Sequence, residues 1–122
     1  MKKIFYYTDV LPLLNREGAA IEKLKRSLKI FQENSDDVRL VWHPMTGMEE
    51  CLELNNSSVL EEYRQVVAEY LEAGWGDYDN SATLKEAREV LLGCNGFYGD
   101  MSNLLYEAQT AKIPVMMQNI DV

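Results

Sequence analysis

Histidine is nearly missing from this chain: His43 is the only one among 122 residues. Cysteine occurs only at Cys51 and Cys94, with no CxxC spacing. So few soft ligands exclude a zinc-ribbon centre, and two isolated cysteines make no disulfide framework. Basic residues are also scarce, 12 Lys and Arg against 20 Asp and Glu, for a net charge of -8. A nucleic-acid binder displaces counterions with a cationic face, so this composition argues against that class. Small phosphorylated ligands stay open, because backbone amides and helix ends hold them without a basic surface. No apolar run approaches the ~20 residues of a membrane-spanning helix. The opening Met1-Lys2-Lys3-Ile4-Phe5 does not read as a secretory leader, since Asp9 and Pro12 interrupt its short apolar stretch. The expectation is one cytoplasmic domain spanning residues 1–122, with 47% apolar residues to build a core. The P-loop, the dinucleotide G-x-G-x-x-G and the serine-hydrolase elbow G-x-S-x-G are all absent. No cofactor or metal cluster is expected.

What is present alternates. Lys3 to Tyr7 is aromatic and β-branched and reads as a buried strand ending at Thr8-Asp9. From about Arg16 to Glu33, Ile21, Leu24, Leu28 and Phe31 form one stripe of an amphipathic helix. Val38 to Trp42 is a second strand, closed by His43-Pro44. Met45 to Asn56 reads as a loop with one or two helical turns. Ser57-Ser58 offers an N-cap for a helix carrying Tyr63, Val66, Val67, Tyr70 and Leu71 and stopping near Gly74. Gly76 to Tyr78 is at best a brief strand. Ser81 is expected to cap a helix with Leu84, Ala87, Val90 and Leu91 inside. Phe97-Tyr98, Ser102 to Lys112 and Ile113 to Met117 complete the series as strand, helix and strand, with no helix expected after it. Short apolar strands without alternation are buried on both faces, as in a parallel sheet covered by helices. The expected fold is an α/β Rossmann-like three-layer sandwich with a parallel sheet of about five strands.

Ligands in such sheets sit at the carboxyl ends of the strands. Four polar clusters fall there: Thr8-Asp9, His43, Asp77 with Asp79, and Gly99-Asp100-Ser102. His43 alone has an unperturbed pKa near neutrality, so it suits a phosphate ligand or a general acid. It serves equally as a strand-end filler beside Pro44. Asp9 and Asp100 invite comparison with phosphoryl-transfer receivers, but Lys112 precedes the last strand and no lysine follows it, which disfavours that class. The turn from Gly96-Phe97-Tyr98-Gly99 into Asp100-Met101-Ser102-Asn103 brings a strand to a helix N-terminus, where free amides and the helix dipole favour an anion. Ser102 is also a plain N-cap, and Glu107 a plain solvated helix residue.

Glu107-Ala108, five residues and Pro114-Val115 resemble the donor-binding segment of two-domain, GT-B-type glycosyltransferases. Asn95 to Ser102 resembles the strand, small loop and serine just upstream in those enzymes, and Val41-Trp42-His43-Pro44 a strand ending in His-Pro. The likeness is greatest to the CDP-glycerol glycerophosphotransferase-like group of bacterial surface-polymer transferases. It implies a nucleotide-diphosphate donor half whose acceptor domain lies elsewhere. Glu107 would then bind ribose, Ser102 and its turn a donor phosphate, and His43 the phosphate or transferred group. Asp100 would sit beside them, with Thr8, Asp9, Gly99 and Asn103 lining the site. Such a half would not turn over alone.

Two other classes remain. A flavodoxin-like interaction or regulatory module would use its acidic surface, Trp75 and Tyr78 on a protein partner. A small phosphate-handling enzyme would act through His43 and the aspartates.

Overall fold

The computed structural model describes residues 1–118. The elements are β1 (Lys2–Thr8), α1 (Val10–Arg16), α2 (Gly18–Glu33), β2 (Val38–Pro44), α3 (Met48–Leu54), α4 (Leu60–Ala73), β3 (Asp77–Tyr78), α5 (Leu84–Leu92), β4 (Gly96–Gly99), α6 (Asn103–Thr110) and β5 (Val115–Met117). All pairings are parallel, in the order β3-β2-β1-β4-β5. The α/β class and the five-stranded parallel sheet are as the sequence predicts. The expectation that no helix follows β5 falls on residues 119–122, outside the described residues.

The chain steps from β1 to β3 in one direction, then returns to the other side of β1 for β4 and β5. One core face joins Tyr6, Leu40 and Trp42 to α1, α2, α3 and α4; the other joins Phe5, Tyr7, Val41 and Phe97 to α5 and α6. Successive β1 side chains therefore enter opposite cores, and Phe5, Tyr6, Tyr7 and Thr8 are all buried. This is why the strand pattern shows no alternation. Trp42 anchors the first core, with Tyr63, Tyr70 and Tyr78 at edge-on angles of 70°, 87° and 81°.

Several boundaries differ from the sequence reading. A short helix, α1, fills the stretch before Arg16; Asp9 caps it, accepting the Leu11 N–H at 3.1 Å. Pro12 is tolerated because first-turn amides have no intrahelical partner. Glu17, at φ 46°, separates α1 from α2. The α5 cap is Thr83, which accepts the Glu86 N–H at 3.2 Å, whereas Ser81 donates instead to Asp79. At α4 the cap position is Val59, with Ser57 accepting the Val59 N–H at 3.3 Å. Among the described residues no helix is long and apolar enough to cross a membrane.

Candidate functional site

The reversal of strand order places the switch point between the carboxyl ends of β1 and β4. A glycine is required at the β4 end: Gly99 has φ 146°, and a Cβ there would run into the Tyr7 carbonyl oxygen. This close approach brings Asp100 beneath β1, its own N–H donating to Tyr7 O at 3.1 Å. Asp100 Oδ2 then accepts the Asp9 N–H at 2.8 Å, so the carboxylate bridges the crevice from within. Asp9 is itself engaged: Oδ1 accepts the Tyr7 hydroxyl at 2.8 Å while Oδ2 caps α1. Thr8 Oγ1 accepts the Trp42 indole N–H at 3.0 Å.

Asp100 is 5% exposed, and its Oδ1 has no hydrogen-bond partner among the described residues. Burial pushes its carboxyl above the ordinary range, opposed by the Asp9 amide. It borders a cavity of about 30 Å³ shared with Tyr6, Thr8 and Gln118, a space of water size. Thr8, Asp9 and Asp100 thus come together on the α1 side of the sheet, in a crevice already bridged and capped.

A second arrangement lies on the opposite face of the same edge. His43 ends β2, 2% exposed, its ring stacked at 5.5 Å on Phe5 and 6.0 Å on Tyr7. Its Nδ1 lies 2.9 Å from Asp79 Oδ2 and 3.1 Å from the Asp79 carbonyl oxygen. Asp79 is held in turn by the Ser81 hydroxyl, which donates to Oδ1 at 2.7 Å. A proton on Nδ1 satisfies these acceptors and leaves Nε2 as the basic nitrogen. The carboxylate partner of His43 was not identified from sequence, because the two residues lie 36 positions apart. The only signal is that Asp79 directly follows a short strand.

His43 lines a cleft of about 250 Å³ with Tyr7, Thr83, Leu84, Ser102 and Asn103. The starts of α5 and α6 therefore meet at the histidine. Thr83 and Ser102 each satisfy one amide of their helix, the latter accepting from Leu105 at 3.4 Å. The first-turn amides of a helix have no intrahelical partner, and the positive ends of both helix dipoles lie at this cleft. Ser102 is thus an N-cap and a lining residue at once.

Other candidates lie apart. Glu107 Oε2 accepts from Arg88 Nε at 2.7 Å, tying α6 to α5. Asp77 pairs with Arg39 at 2.6 Å, and this guanidinium holds its carboxyl below the ordinary range. Cys94 is buried, and burial pushes its thiol up to about 11, which removes thiolate character at neutral pH. Among the described residues no group of three or more His, Cys, Asp or Glu is placed to hold a metal ion. Trp75 packs edge-on against Tyr70 at 5.1 Å and remains partly exposed.

No protein-family model, curated protein or solved structure matches this chain.

Proposed function

We propose that this domain binds a phosphorylated small molecule, a nucleotide-diphosphate donor, with its phosphates in the His43 cleft. The observation that carries this reading is the convergence of the His43–Asp79 pair with the starts of α5 and α6 on one cleft. Helix-start amides recognise anions without a basic surface, which suits a chain of net charge -8. The dimensions fit phosphate groups rather than a whole nucleotide, so the base and ribose would lie towards the open rim. His43, oriented by Asp79, would donate to a phosphate oxygen when protonated or exchange a proton with the transferred group.

The finer assignment to a GT-B-type glycosyl- or glycerophosphotransferase draws on the Glu107-Ala108 to Pro114-Val115 spacing. In that reading the acceptor side comes from another domain or chain, and this half binds donor without turnover. Ser102→Gly tests the cleft, because glycine at an N-cap costs the helix only a few tenths of a kcal/mol while the hydroxyl is lost. Calorimetry with CDP, UDP and pyrophosphate should show weaker binding of all three. Unchanged affinity would remove the cleft from the proposal.

A second reading, an interaction module without nucleotide, is favoured by an apolar shelf of about 560 Å³ over β4 and β5. Ile30 and Met116, which border it, are 59% and 67% exposed. Loss of this patch from solvent on binding a partner, with no phosphate response, would support that reading.

A further inference from the structure

The two ring nitrogens of His43 stand in different surroundings. Nδ1 lies 2.9 Å from Asp79 Oδ2 and 3.1 Å from the Asp79 carbonyl oxygen, so it carries the proton. Nε2 keeps the lone pair, and a carboxylate behind the opposite nitrogen makes that lone pair more basic. The ring packs on Phe5 and Tyr7, so only part of it reaches the cleft. Among the described residues, the sealed side-chain atoms without a partner are the Tyr63 hydroxyl and Asp100 Oδ1. Nε2 makes no hydrogen bond to a described residue and is not one of these, so it is open to the cleft that His43 lines.

The other candidate nucleophiles of this cleft are hydroxyls, and each is already engaged. Tyr7 donates to Asp9 at 2.8 Å, Thr46 to Ser81 O at 2.9 Å and Thr83 to Glu86 Oε1 at 3.1 Å. Ser102 accepts the Leu105 N–H at 3.4 Å as the α6 cap. A hydroxyl is a weak nucleophile until a base takes its proton, a step that a neutral imidazole nitrogen does not need. Among the described residues no Lys, Arg, Asp or Glu lines the cleft. The charge that favours an anion beside Nε2 therefore comes from the starts of α5 and α6.

We propose that His43 Nε2 is a phosphorylation site, loaded by a small phosphodonor with a readily expelled leaving group, an acyl phosphate or a phosphoramidate. This rests on the reading of the cleft as a phosphate site. The Nε2 lone pair attacks phosphorus and forms an N–P bond while the P–O or P–N bond of the donor breaks. The leaving group departs with that electron pair, as a carboxylate or, from zwitterionic phosphoramidate, as ammonia. No proton has to move, because Nδ1 keeps its own. The ring, now substituted on both nitrogens, carries a positive charge beside the Asp79 carboxylate. Asp79 is a positioning residue in this step, and the Ser81 hydroxyl holds it by donating to Oδ1 at 2.7 Å. A cleft without Lys or Arg has little charge to draw out a poor leaving group, which restricts the donor to readily cleaved bonds.

The test incubates the chain with phosphoramidate and with acetyl phosphate, following intact mass and ³¹P–¹H correlation spectra at alkaline pH. His43 is the only histidine, so any phosphohistidine formed is at this residue. The same chain in urea gives the rate of an unheld imidazole. The folded chain should react roughly a hundredfold faster, the scale on which one preorganised oxyanion donor acts, with the phosphoryl group on Nε2. Asp79→Asn should slow the folded reaction and let attachment spread to Nδ1, a change of position that lost stability alone does not produce. Pyrophosphate should compete with the donor. A folded chain no faster than the unfolded one, attachment at Nδ1 in the parent, or an acid-stable product on a hydroxyl overturns the proposal. Saturable pyrophosphate binding without phosphorylation overturns it and leaves the phosphate-binding reading standing. Absence of both overturns the two together.

Discussion

The His43 ring nitrogen Nδ1 and the Asp79 carboxylate lie 2.9 Å apart, joining the ends of β2 and β3 beneath the opening of a cleft. At 2% exposure the ring packs on Phe5 and Tyr7, and the contact with Asp79 fixes its orientation. The pair sits where the starts of α5 and α6 meet, and the proposed phosphate site is built on it.

Asp79→Asn removes the charge from that hydrogen bond. The substitution should destabilise the fold by up to about 1.5–3 kcal/mol, the range for a hydrogen bond to a charged group. It should also redistribute the imidazole proton between the two ring nitrogens. Long-range ¹⁵N correlation spectra of His43 report the tautomer directly, and urea unfolding reports the stability.

Asp100 gives a pH signature of opposite sign to the usual paired carboxylate. Burial raises its folded-state pKa, so the folded chain holds that proton more tightly than the unfolded chain. Its contribution to stability is present at low pH and falls as pH rises from about 4, the ordinary Asp value, through the folded value. Asp100→Asn keeps an oxygen acceptor for the Asp9 N–H and removes the titration. Relative to the parent, the variant should gain stability as pH rises through this window. Parallel urea-midpoint curves for the two proteins would contradict the assignment.

Gly99 tests the close passage of β4 under β1. Alanine there meets the Tyr7 carbonyl oxygen and is confined to a positive φ of 146°. Gly99→Ala should cost more than about 2 kcal/mol, measured by thermal or urea unfolding. Gly18→Ala is the control, because nothing lies within 4 Å of a Cβ there and its φ is ordinary.

Much of this architecture was legible in the chain. The buried runs of β1 and β2, the stripe of α2 and the Ser102 cap each depend on neighbours within one or two turns. The α1 helix was not legible, because Asp9 reads as a strand end and Pro12 as a breaker; here the same residues cap and open a helix. Ser81 fits an N-cap equally well by sequence, but its hydroxyl is used by Asp79, leaving Thr83 to cap α5. Of the candidate site, His43, Ser102 and Asn103 share one cleft while Thr8, Asp9 and Asp100 share the crevice on the other face. Which face each strand-end residue serves depends on crossovers and pairings between distant segments. Local pattern carries no record of those.

Glu107 separates the finer assignment from the coarser one. Its ion pair with Arg88 is partly exposed, the side chains 33% and 48% accessible, and such pairs contribute about 0–1 kcal/mol. Glu107→Gln should therefore alter stability little. If Glu107 serves a ribose, this variant binds CDP and UDP more weakly while pyrophosphate affinity is retained. Equal affinities for all three would leave the phosphate cleft intact and remove the ribose role.

The most direct test of the central claim is an amide-shift titration with CDP, UDP, GDP, ADP and pyrophosphate, using cytidine as the phosphate-free control. The expected result is saturable shifts at His43, residues 83–85 and residues 102–105 for every phosphate-bearing ligand and none for cytidine. The ranking of the four nucleotides then identifies the base. No response at millimolar ligand, or shifts confined to other surfaces, would contradict the assignment of the His43 cleft as a phosphate site.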